Sequence, residues 1–182
     1  MTRKNAGNTQ LLLRDRAQKV FFMNAKRELK RIITKTPLNQ LKTASCCMRL
    51  YTIIRSYAFK KVLPNLALIE WVHNLRNNAN QRCYGLTSTA GDDQKAKMQF
   101  CTSINNKRKF FCVLLHEICH WACINYDGFD NLNYQPIIHR DYTDPDHDAT
   151  FHGHARNCYR AFGKNLFQPP LRLREITADE RV

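Results

Sequence analysis

The sequence predicts an α+β fold: N-terminal helices, then a small three-stranded sheet, then two further helices. Three observations predict it. Apolar residues recur every three or four positions through the first third of the chain and in two later stretches, the period of an amphipathic helix. Between these lie three short runs, Leu66–His73, Cys83–Thr87 and Lys97–Ile104, bounded by turn-forming residues as strands are. A length of 182 residues with 43% hydrophobic content suits one globular domain.

Taken in order, residues 1–8 are polar and expected to be a disordered tail. Residues 9–166 form the domain, divided into a basic helical part (9–63) and a core (64–166). Residues 167–182 read as a solvated tail. From Thr9 to about Lys35 the stripe Leu13, Ala17, Val20, Phe21, Ala25, Leu29, Ile32, Ile33 predicts a helix with one buried side. Arg16, Lys19, Lys26, Arg27, Lys30 and Arg31 occupy its remaining surface. Thr36-Pro37 resembles an N-cap with proline in the first helical position. The second helix should run to about Val62, with Leu38, Leu41, Ala44, Met48, Tyr51 and Ile53 or Ile54 inward. Gly91-Asp92-Asp93 reads as the turn between the last two strands. His73, alone at a strand end, is read as structural or exposed.

The net charge of +14 is unevenly spread. Residues 1–61 carry 15 Lys/Arg against two acids, Asp15 and Glu28; the rest of the chain is nearly balanced. Such asymmetry points to an anionic partner, most often nucleic acid, which makes the basic helix residues the candidate binding face. The alternative is a solvated helix face that keeps the protein soluble. No run of about 18 apolar residues exists, so no membrane span is expected. The short Leu11-Leu12-Leu13 run is no signal peptide. An intracellular, nuclear or nucleoid-associated protein is therefore expected, with its eight cysteines reduced and filling core positions. No Cys-x-x-Cys occurs, which excludes a zinc ribbon.

Phe110–Trp121 contains the sequence His116-Glu117-Ile118-Cys119-His120. Residues four apart share a helix face, so both imidazoles can reach one metal ion. Glu117 lies beside that pair, where a carboxylate can take a proton from water. A catalytic zinc site needs a third protein ligand and one open position. Phe151, Ala155, Cys158 and Phe162 form the inward stripe of a last helix ending at Gly163, and His147 continues it by one turn. Helical phase therefore favours His147. His152 and His154 lie to either side, toward solvent or supporting a ligand, and remain alternatives; His139 is remoter. A closed structural site of His116, His120 and Cys123 competes, though a thiolate there would occupy the open position. Phe129–Asp146 reads as a long loop, a type that is usually functional. Tyr126, Tyr134 and Tyr142 in or beside it are candidate oxyanion donors. Asp146 or Asp148 would orient an imidazole or simply charge the helix start.

The combination of His116-Glu117-Ile118-Cys119-His120 with His147-Asp148-Ala149-Thr150-Phe151 resembles the SprT-like (Spartan- and WLM-related) zinc metalloprotease family. Trp71 on a strand, Gly85 after a turn and Met98–Ile104 leading into the motif helix follow the same order, over roughly residues 40–163. Asp148 stands where many members have glycine. The resemblance implies a minimal zincin core and one catalytic Zn2+ held by His116, His120 and His147, with Glu117 as general base. It also implies endopeptidase activity on DNA-associated or DNA-crosslinked proteins, hence DNA repair, with single-stranded or protein-bearing DNA as partner. The competing class is a nucleic-acid-binding adaptor with a structural or vestigial zinc site. A carboxylate between two ligands is of no use to such a site, which favours the enzyme.

Overall fold

The computed structural model describes residues 23–24, 26–60, 63–77, 80–90, 95–125 and 147–162. The expected tails, Arg16, Lys19, the 91–93 turn, the 129–146 loop with its tyrosines, His139 and Asp146, and the Gly163 cap lie outside these residues. What is described is α+β: helices on one face of a three-stranded mixed sheet. No described helix is long and apolar enough to cross a membrane.

Helix α1 covers residues 26–35. Its apolar stripe is inward as expected, with Leu29 and Ile32 buried and Ile33 half-buried. Lys26, Arg27, Lys30 and Arg31 are all exposed. The predicted second helix is instead two pieces, α2 (Leu38–Leu41) and α3 (Ala44–Ala58). Thr36 donates its N–H to Ile32 O and so closes α1, leaving Pro37 as the extended residue ahead of α2. The N-cap role falls to Thr43, whose hydroxyl accepts from Cys46 N. Restarting at Thr43 resets the helical phase. Ala44 is therefore exposed rather than inward, while Cys47, Leu50, Tyr51, Ile53, Ile54 and Ala58 face the core.

The strands are β1 (Leu66–Val72), β2 (Gly85–Ala90) and β3 (Lys95–Cys101), in the order β1-β3-β2. β3 runs parallel to β1 and antiparallel to β2. Register sorts the two faces. Ile69, Met98, Phe100, Gly85 and Thr87 share the side toward the helices, where Trp71 packs on Phe100 and Phe110 at 5.4 and 5.7 Å between ring centroids. The other side carries Glu70, with Lys97 at 2.7 Å and Gln99 at 3.1 Å. His73 is exposed at the end of β1.

Helix α4 (Lys107–Ile124) begins at Asn106, whose side chain accepts from Lys109 N at 2.7 Å. It packs against β2, β3 and helix α5 (Ala149–Phe162), so almost every side is covered. Tyr51 ties the layers together: its buried hydroxyl donates to Pro64 O and accepts from Trp121 Nε1 at 3.2 Å. Asp148 caps the start of α5, its carboxylate accepting from Phe151 N at 2.9 Å. Side chains from α1 through α5 contribute to one continuous core.

Candidate metal centre

The two motif histidines project from the α5-facing side of α4, and His147 meets them from the residue just ahead of the α5 cap. The Nε2 atom of His116 lies 3.0 Å from that of His120 and 3.2 Å from that of His147. One ligand atom from each of the three lies within 4.8 Å of the others. His116 and His147 are buried and His120 is half-buried. Phe151 lies against all three imidazoles, at 5.0, 4.7 and 4.7 Å between centroids, and forms the apolar wall of the site.

This set fits a metal ion. Tetrahedral zinc with Zn–N bonds of about 2.0–2.1 Å places its nitrogens about 3.3 Å apart. The His116 spacings are close to that. Hydrogen bonding accounts for less: one neutral ring nitrogen has one hydrogen or one lone pair, and so cannot satisfy two neighbours at once. Burial, then the neighbouring His120 and His147, holds the His116 pKa well below its ordinary value. The ring is thus neutral, the form that binds a metal. Its Nδ1 has no partner among the described residues, so packing against Phe151 sets the ring orientation.

Glu117 leaves α4 on another side, about 100° around the helix from His116 and about 60° from His120. It is 2% exposed. Its Oε2 accepts a hydrogen bond from Thr87 Oγ1 at 2.7 Å, and Gly85 lies directly against the carboxylate. Neither Thr87 nor the contact at Gly85 was readable from composition. The available signal was the alternation Gly85-x-Thr87, which puts both residues on one face of a strand.

All eight cysteines are free thiols; Cys47, Cys83, Cys101, Cys119 and Cys158 are buried as expected of small core residues, while Cys46, Cys112 and Cys123 are half-buried. Cys119 is fully buried, and its pKa is pushed well up by burial and then by Cys158. Burial and then Asp148 push the Cys123 thiol up to about 12. Cys123 is not a member of the cluster, which disfavours the closed His116–His120–Cys123 site.

Of the two places expected for His154, solvent or a supporting position beside a ligand, the structure excludes solvent. The residue is 0% exposed, 5.8 Å from the Phe59 ring. The reason is that α5 packs on both α4 and α3, so its covered arc is wider than the Phe151–Phe162 stripe. His152 is half-buried beside Phe151. Burial lowers the His154 pKa from 6.5 to about 4, partly opposed by Asp148. A histidine with a depressed folded pKa stabilises the fold fully above its unfolded value, and that contribution is lost as pH falls from 6.5 toward 4. The expected loss is on the order of 3 kcal/mol. Unfolding of metal-free protein at pH 7 and pH 4 measures it: His154→Gln should lose much less stability than wild type over that interval, and equal losses would refute the assignment.

No family model, curated protein or solved structure matches the chain.

Proposed function

We propose that the protein is a zinc-dependent endopeptidase of the SprT-like type, acting on proteins associated with or crosslinked to nucleic acid. The observation that carries this reading is the three-histidine cluster, two of whose members share α4 with the buried carboxylate of Glu117. Among the described residues the cluster offers three donors rather than four, as a catalytic site requires. His116, His120 and His147 would hold the ion. Bound zinc would act as a Lewis acid toward the scissile carbonyl and the attacking water. Glu117 accepts the proton that water loses on attack and returns it to the leaving amine. Phe151 keeps bulk water from one side of the imidazoles. β2 is an outer strand of the described sheet, and it carries Gly85 and Thr87 beside Glu117. An extended peptide pairing with its outer edge would run past the carboxylate.

The test is cleavage of a loosely folded basic protein by the zinc-loaded chain, with and without single-stranded DNA. Cleavage should disappear on chelation and return with zinc. Zinc binding with no cleavage under either condition would favour the adaptor with a structural site.

The nucleic-acid partner is supported by the exposed side of α1. Arg27, Arg31 and Lys35 recur every four residues, about 6 Å apart along the axis. None has an ion-pair partner among the described residues. Arg31 and Lys35 also line a cleft between α1 and α3, together with Thr36, Thr43 and Arg49, the last paired to Glu28. Binding of a labelled single-stranded oligonucleotide should weaken linearly with log salt concentration. Each of Arg31→Gln and Lys35→Gln should reduce that slope by about 0.7. Salt-independent affinity, or slopes equal to wild type, would remove nucleic acid from the proposal.

A further inference from the structure

We infer that Gly85 and Thr87 of β2 form a cradle that positions the Glu117 carboxylate for proton transfer, with Thr87 as its positioning residue. This rests on the endopeptidase reading. Three features of the cradle converge. Gly85 and Thr87 are two apart on one strand, so both point at α4, and their register partners Phe100 and Met98 are fully buried on the same face. The Thr87 hydroxyl is 2.7 Å from Glu117 Oε2 and 3.1 Å from the Glu117 carbonyl oxygen. It has one hydrogen, and the shorter, charge-assisted contact to the carboxylate takes it. A Cβ on Gly85 would come within 2.7 Å of both Cγ and Cδ of Glu117. Any other residue at position 85 would displace that side chain.

The two contacts act on different freedoms of the same group. Gly85 leaves room for the Glu117 stem to lie flat on the strand. Thr87 stops rotation of the carboxylate about its last bond. Thr87 is itself stiff, because a β-branched side chain on a strand has few accessible rotamers. The carboxylate is therefore held by contacts from β2, whereas the imidazoles of His116 and His120 pack on His147 and Phe151. Its orientation can be lost while the metal ligands stay in place.

Thr87→Val, Thr87→Ser and Gly85→Ala should be compared with wild type and Glu117→Gln, with kcat expressed per zinc-loaded molecule. Zinc affinity by chelator competition and Tm of the metal-free protein are measured in parallel. Thr87→Val and Gly85→Ala should lower kcat about 10–100-fold while KM and zinc affinity stay within about threefold. Thr87→Ser, which keeps the hydroxyl, should return kcat to within about threefold of wild type. The inference is overturned alone if wild type cleaves and zinc-loaded Thr87→Val cleaves equally well, or if Thr87→Ser fails to rescue it. It is also overturned if zinc affinity falls with kcat, since the strand would then support the ligands rather than the base. An inert wild type overturns the endopeptidase reading, and the positioning role with it.

Discussion

His147→Ala should lose zinc, whereas His152→Ala should keep it. Removing His147 leaves two imidazoles on one helix, and two nitrogens do not make a closed coordination shell. Affinity should fall by more than the 10–100-fold typical of losing only a supporting partner of a ligand. The fold should survive, because His147 lies outside α5 and the cap is made by Asp148, whose bond to Phe151 N is untouched. Linkage supplies a second readout. Zinc at 100 times its Kd stabilises the folded state by about 2.7 kcal/mol. For a chain of this size that is a rise of roughly 5–10 °C in Tm. Wild type and His152→Ala should show the rise, and His147→Ala should not. Atomic emission after dialysis gives the metal content directly. If His152→Ala were the variant that lost zinc, the third ligand would be misassigned.

Glu117→Gln should abolish most of the cleavage without releasing the metal. Glutamine matches glutamate in shape, so it fits the space against Gly85, and its amide oxygen can still accept from Thr87. It cannot accept a proton. General-base catalysis contributes about 10²–10⁴-fold, equivalent to about 3–5 kcal/mol of barrier. The variant should bind one zinc with near wild-type affinity and cleave at that reduced rate, and zinc should restore activity to chelated wild type alone. A variant cleaving as fast as wild type would assign the proton transfer to another group.

Much of the fold was legible because period and capping are local. Leu29 and Ile32 on α1, and Phe151, Ala155, Cys158 and Phe162 on α5, are buried as their spacing requires. The strands lie within a few residues of their expected ends. Sequence and structure differ where local signals compete. Thr36-Pro37 does precede a helix, but α2 ends at Leu41 and Thr43 caps a second one. The break at Lys42-Thr43 leaves Ala44 exposed in the first turn of α3, while Tyr51, Ile53 and Ile54 are buried as expected and Cys47 and Leu50 join them. His154 is buried rather than solvent-facing because a single stripe describes a helix packed on one neighbour, and α5 has two.

By itself, the sequence determined the donor types, the shared face of His116 and His120, and the helical phase that favours His147. These depend only on spacing within one helix or one turn beyond it. Tertiary structure decided what spans elements. It brought His147 to within 3.2 Å of His116 across 31 residues of chain, set Phe151 against three rings, and seated Glu117 on Gly85 and Thr87. Periodicity says which way a side chain points from its own element. Which group it meets there is settled by how α4 packs between β2 and α5, and no local pattern encodes that.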